Sequence, residues 1–398
     1  MVNWRKFPIF AVSIVLAIAL SGCGGAQQSS GSCSISTDLI KGPAVGSGGN
    51  NSDNPFRALA IDPTDPQTIY VGSEGNGVFK SSDGGANYTW LRSGLKHCDD
   101  AYPEIYSIAI DSTDRSRIAI ATNAGPGPVT SGHSATAGVY YSTDSGASWS
   151  QINTGLPNGD VNSIAIVGSK YIAGLGAGTD TNSRSTFYAG GIYTRSFSAS
   201  SWTKASAPSS ADESIYWQIA QRASGLITFG GNPITGSGSA SGVITSTDSG
   251  NTWSQTTSPL NNLAGGYIEA SSDLQTIYAC KRSGEADPVF YKSTDGGANW
   301  TNPAQGSSGP VRLVIPTHAN VALYSIGQGI AMTTDGFTTA STVLTTPSAS
   351  NDVMAIEVAP SNSNYIYAVT KGLLVYRSTD AGANWTLRGN IRTYIDSQ

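Results

Sequence analysis

Apolar residues fall in short runs along this chain, separated by clusters of Gly, Ser, Asn, Asp and Pro. Ala58-Leu59-Ala60-Ile61 is followed by the turn Asp62-Pro63-Thr64-Asp65-Pro66, then by Thr68-Ile69-Tyr70-Val71, Val78-Phe79-Lys80 and Thr89-Trp90-Leu91. The same four-run frame returns over 107–152 and again over 353–388. Short β-branched and aromatic runs punctuated by turn formers predict strands and hairpins. No stretch after residue 23 sustains a period of 3.6 residues, so helices are expected to be nearly absent.

Between the third and fourth runs lies a repeated turn. Ser81-Ser82-Asp83-Gly84-Gly85-Ala86-Asn87-Tyr88 returns with its acid at Asp144, Asp248, Asp295 and Asp380, each followed five positions on by Trp. A degraded copy keeps Asp335 without the aromatic, and another has Ser196 in the acid's place. The spacing is roughly fifty residues, and self-similarity at that period marks a repeat architecture. Seven units of four short strands predict an all-β fold, a single seven-bladed β-propeller with four-stranded blades. A sandwich of about 28 strands is implausible, and β-helix repeats are shorter. Length alone suggests two or three domains; the repeat reduces them to one, over 54–398.

The N-terminus differs. Arg5 and Lys6 precede the apolar run 9–20, and small residues follow, ending in Cys23. This is the form of a secretory signal peptide over 1–22, too short to span a bilayer. Residues 23–53 are rich in Gly, Ser, Gln and Asn, with one apolar patch at Leu39-Ile40, and are expected to form a flexible tether. Export implies an oxidising compartment. With Cys23 set aside, Cys33, Cys98 and Cys280 allow one disulfide, and Cys33 with Cys98 is the pairing expected, since the tether end can reach a loop.

Composition narrows the partners. Charged residues are 12% of the chain, the net charge is −5, and there are 47 Gly and 3 His. No basic run is present, which argues against nucleic acid. So few His and Cys argue against a metal site, and no cofactor is expected.

The pattern S-x-D-x-G-x-x-W resembles the Asp-box of sialidase and sortilin-like propellers, over essentially residues 54–390. Leu20-Ser21-Gly22-Cys23 likewise resembles the bacterial lipobox, which implies lipidation at Cys23 and a lipid-anchored place in the cell envelope. In the families it resembles, the box lies at the periphery, away from any active site. The resemblance therefore implies a structural role for Asp83, Asp144, Asp248, Asp295, Asp335 and Asp380, in keeping with the tendency of Asp before Gly to close its own turn. It also puts the box turns on one face and the loops joining blades on the other.

On that second face the candidate catalytic acids are Glu74, Asp99, Asp100, Glu104, Glu285 and Asp287. Starts of inner strands place Arg57, Tyr106, Trp217, Tyr267 and Arg312 as candidate ligand-binding residues. Aromatics beside carboxylates suit a sugar site; taken alone, Tyr216-Trp217 reads rather as core or rim packing and Asp99-Asp100 as a solvated loop. Sialidases need three arginines, and Arg57, Arg312 and Arg222 are the candidates; Pro55-Phe56-Arg57-Ala58-Leu59 lacks the proline of the sialidase F/Y-R-I-P segment. Residues 62–85 resemble xyloglucanase-type hydrolases, whose acids lie between two propellers. Single propellers of the photosystem II assembly-factor group, often lipoproteins, are binding proteins without catalysis. The reading expected from these features is a lipid-anchored, monomeric, non-catalytic binding or assembly module for a protein or glycan. A glycoside hydrolase acting on extracellular polysaccharide is the alternative.

Overall fold

Each unit of the repeat folds into one antiparallel sheet whose strands follow in chain order from the inside outwards. The computed structural model describes residues 35–41, 58–98, 101–123, 135–176, 178–179, 187–188, 190–208, 215–231, 242–256, 266–281, 290–302, 313–314, 321–326, 328–347 and 352–398. All of them belong to one compact unit, Gly31–Gln398. The signal peptide, Cys23 and most of the tether lie outside the described residues.

Blade 1 is built from Leu59–Ile61, Ile69–Gly72, Val78–Ser81 and Thr89–Leu91. Blade 2 starts with Glu104–Ile110, blade 3 with Val161–Val167 and blade 4 with Ile215–Arg222. Blades 5, 6 and 7 start with Gly266–Ala270, Leu313–Val314 and Val353–Val358. Six blades have four strands; in blade 5 the fourth position is a bridge between Lys292 and Thr301. The molecule is thus a seven-bladed β-propeller, as the repeat predicts.

Second strands read as unbroken apolar runs because both of their faces are covered. Ile69–Gly72, Ile366–Thr370 and all but the last residue of Ile118–Asn123 are buried. Fourth strands such as Thr203–Lys204 and Ser254–Gln255 are exposed and polar. The core is divided into seven apolar seams, one between each pair of neighbouring blades. Each fully buried Ile or Phe in a seam contributes roughly 1.5–3 kcal/mol.

Among the described residues, the seam between blades 7 and 1 closes the ring without exchange of a strand. Leu59, Val71 and Phe79 of blade 1 meet Ala355, Val369 and Val375 of blade 7. The helix Ile391–Asp396, capped by Asn390, adds Ile391 and Ile395 to this seam. Arg377 donates to Gln67 at 3.0 Å and Tyr367 to the Pro66 carbonyl at 2.8 Å, tying the two blades at the turn face.

The repeated turn has the same wiring in six blades. In the first, Ser81 Oγ donates to Asp83 at 2.8 Å, and Asp83 accepts from the N–H of Ala86 and of Asn87 and from the Asn87 side chain. Gly85 N–H donates to Ser81 Oγ at 2.8 Å. Asp144, Asp248, Asp295, Asp335 and Asp380 repeat the pattern with the residue four places on. The residue after each acid is in the left-handed region: Gly84, Ser145, Ser249, Gly296, Gly336 and Ala381 have φ from 58° to 74°. Its N–H reaches the first turn of its own blade, Gly84 to Gln67 and Ser145 to Ser116, so both turns share a face.

The fifth position sets blade spacing as well as turn geometry. A Cβ on Gly146 would lie 2.7 Å from Leu91 of blade 1, and one on Gly250 would lie 2.7 Å from Ile172 of blade 3. Blade 6 has Phe337 there, at φ 76°. Its ring packs on Tyr278 and Tyr324.

Candidate functional site at the junction of blades 1 and 2

The connection from blade 1 to blade 2 gathers several of the candidate residues. Tyr102 N–H donates to the Gly75 carbonyl at 3.0 Å, and Ile105 N–H to the Ser73 carbonyl at 3.1 Å. These two bonds hold Glu74 and Glu104 on neighbouring stretches of backbone. Glu104 is buried, at 5% exposure, and Glu74 is half-buried. His97, also buried, lies edge-on to Tyr102 with ring centroids 5.5 Å apart. Burial raises the Tyr102 pKa, and the Ile40 N–H works against it.

A segment from the expected tether is docked here. Ile35–Ser36 pairs antiparallel with His97–Cys98, Ile35 opposite Cys98. Cys98 is disulfide-bonded, and Cys33, its expected partner, lies outside the described residues two positions before Ile35.

Among the described residues a β-bulge interrupts the innermost strand in four blades, between Ile105 and Ser107, Val161 and Ser163, Tyr216 and Ile219, and Val353 and Ala355. Bulges re-aim the side chains beside them. Tyr106 sits at the first, with 8% exposure. Tyr267 is buried in the seam between blades 5 and 6 and Tyr216 in that between blades 3 and 4. Trp217 is in the blade 4 bulge; its side chain, together with Arg57, Asp99, Asp100, Glu285, Asp287 and Arg312, lies outside the described positions.

The other ends of the inner strands carry a charge cluster that the sequence reading did not connect. Arg222, considered for a sialidase-like triad, forms an ion pair with Glu269 of blade 5. It also donates to the Ala270 carbonyl at 2.7 Å, while Gln218 donates to Glu269 at 2.9 Å. Burial lowers the Arg222 pKa, and Glu357 of blade 7 acts in the opposite sense.

The turn acids are strongly engaged. At Asp83 desolvation raises the pKa but is outweighed by the Asn87, Ser81 and Ala86 donors, and the carboxyl settles at about 2. The Thr252 hydroxyl and N–H bring Asp248 to about 2. Asp144, Asp295, Asp335 and Asp380 are lowered by donors in the same places. Among the described residues no group of three or more His, Cys, Asp or Glu is placed to hold a metal ion.

No family model and no curated protein matches the chain. Among solved structures it is similar to YCF48 bound to D1 peptide, with 14% identity over 88% of this chain and 98% of that one, at a TM-score of 0.56. YCF48 from Cyanidioschyzon merolae matches at 11% identity over 87% and 98% of the two chains, TM-score 0.53. A GH74 xyloglucanase from Xanthomonas campestris matches at 15% identity over 84% of this chain and 64% of its own, TM-score 0.35. The two YCF48 likenesses agree with the β-propeller fold described above.

Proposed function

We propose that this chain is a lipid-anchored propeller of the bacterial cell envelope, attached through Cys23, that acts as a non-catalytic binding or assembly module for a protein. The observation that carries this reading is the engagement of its acids. Six turn aspartates are bound by their own turns, Asp62 and Asp111 accept from Thr64 and Thr113, and Glu269 is ion-paired with Arg222. These carboxylates hold the scaffold, and propeller scaffolds act through the loops they position. The solved structure of YCF48 bound to D1 peptide, which is similar in fold, supports the same direction.

A glycoside hydrolase would draw on Glu74 and Glu104, the two candidate acids that the fold brings to one junction. A screen of residues 24–398 against a glycan array with released-sugar detection, beside cross-linking to envelope proteins in cells, separates the readings. A cross-linked protein partner without sugar release supports the binding module. Released sugar that disappears in Glu74→Gln and Glu104→Gln overturns it.

A further inference from the structure

Residues 35–41 run across the blade 1–2 junction, and what holds them reads mostly their main chain. After the short ladder with His97–Cys98, Ile40 N–H donates to the Tyr102 hydroxyl at 3.1 Å. Arg92 donates to the Ile40 carbonyl at 2.5 Å and Asn76 to the Lys41 carbonyl at 3.1 Å. Ile40 packs against the seam between blades 1 and 2. Ile35 and Leu39 are exposed, at 45% and 62%.

The side chains that make these contacts are held by the propeller itself. The Arg92 guanidinium stacks 3.7 Å from the Trp90 ring centroid, and Trp90 Nε1 donates to the Asn76 carbonyl at 2.5 Å. Tyr102 is fixed by its N–H to Gly75 and its ring against His97. Groups positioned by packing keep their geometry when a ligand leaves, which lowers the cost of binding the next one.

We propose that this junction is a groove for an extended peptide of a partner protein, read through its main chain and one aliphatic side chain, and that residues 35–41 fill it in cis as an internal competitor. The occupant is inferred from what the groove holds: an extended segment, one strand ladder, four main-chain hydrogen bonds and one half-buried isoleucine. Strand addition of this kind gives affinity through the backbone and specificity through the pocketed side chain. The inference deepens the binding-module reading and rests on it.

The test uses the chain with a specific protease site inserted between residues 42 and 57. After cleavage and treatment with dithiothreitol, no covalent link holds the segment, whichever cysteine is joined to Cys98. A fluorescein-labelled peptide of residues 34–41 is then titrated by polarisation. Binding to the cut, reduced protein at least tenfold tighter than to the intact, oxidised protein is expected. An Ile40→Asp peptide should bind at least tenfold more weakly and a Leu39→Asp peptide unchanged. Arg92→Ala and Tyr102→Phe proteins that melt as the parent does should each lose about tenfold. No binding to cut, reduced protein that keeps its melting transition, or equal binding of the Ile40→Asp peptide, overturns the groove. If the peptide binds as expected but no envelope partner is found by cross-linking, the junction stands only as an intramolecular dock for residues 35–41, and the partner-peptide proposal falls with the binding-module reading.

Discussion

Gly94 approaches Trp149 of the next blade so closely that a Cβ on Gly94 would lie 2.2 Å from the Trp149 carbonyl oxygen. The bond beside it runs the other way, from Trp149 N–H to the Ser93 carbonyl at 2.9 Å. Thr154 and Gly155 repeat the arrangement with Trp202. The link from a fourth strand is thus stitched by backbone to the turn aromatic of the following blade.

Gly94→Ala should therefore destabilise by at least about 2 kcal/mol, since it adds a backbone clash to the strain of φ +81°. Gly168→Ala is the control: its φ is +56° and nothing lies within 4 Å, so only about 1 kcal/mol is expected. Urea denaturation of the two variants measures the difference, and equal losses would remove the stitch as a source of stability.

Ala381 makes the opposite prediction. It sits at φ 58° where blades 1, 5 and 6 have glycine at the same turn position. Ala381→Gly relieves that strain at the cost of a more flexible unfolded chain, for a net gain of about 0.5 kcal/mol. A higher urea midpoint at unchanged slope is the expected reading.

The turn carboxylates predict an acid limb. Asp83 and Asp248 stand at about 2 in the fold against an ordinary 3.8. A folded pKa below the unfolded one gives stabilisation that is complete above the unfolded value and lost as pH falls through the folded one. The melting temperature should hold between about pH 5 and 7 and fall between about pH 4 and 2. Asp83→Asn with Asp248→Asn should start lower and fall less steeply; a parallel decline would assign the limb to other acids.

Removing one side of the central ion pair should cost more than removing both. Arg222→Met leaves Glu269 buried without its cation and is expected to cost about 3 kcal/mol. The double variant Arg222→Met with Glu269→Leu should recover most of that loss in thermal melts.

How far the chain could be read follows from where its interactions are written. The turns were legible because Ser, Asp, Gly and the aromatic act within eight residues of one another, and their chemistry repeats. Ser93-Gly94-Leu95 and Thr154-Gly155-Leu156 carried the stitch in plain view, but its partner is about one full repeat away in sequence. The bulges left no common residue, since Tyr106, Asn162 and Met354 share no type. The pairing of Arg222 with Glu269 joins ends of two blades that periodicity treats alike. Docking of residues 35–41 depends mainly on main-chain contacts, which leave only Ile40 as a trace.

The closing seam carries one more implication. Blade 7 meets blade 1 through an apolar seam and a capping helix, blade 3 meets blade 4 through an apolar seam and the bond from Trp253 N–H to the Ser206 carbonyl, and among the described residues no sheet borrows a strand from the far end of the chain. The order of blades around the ring is therefore cyclic, and the point at which the polypeptide enters it is a matter of connectivity alone. Joining the last residues to the first strand of blade 1 and opening the chain between blades 3 and 4 should yield a permuted protein with the same seven seams.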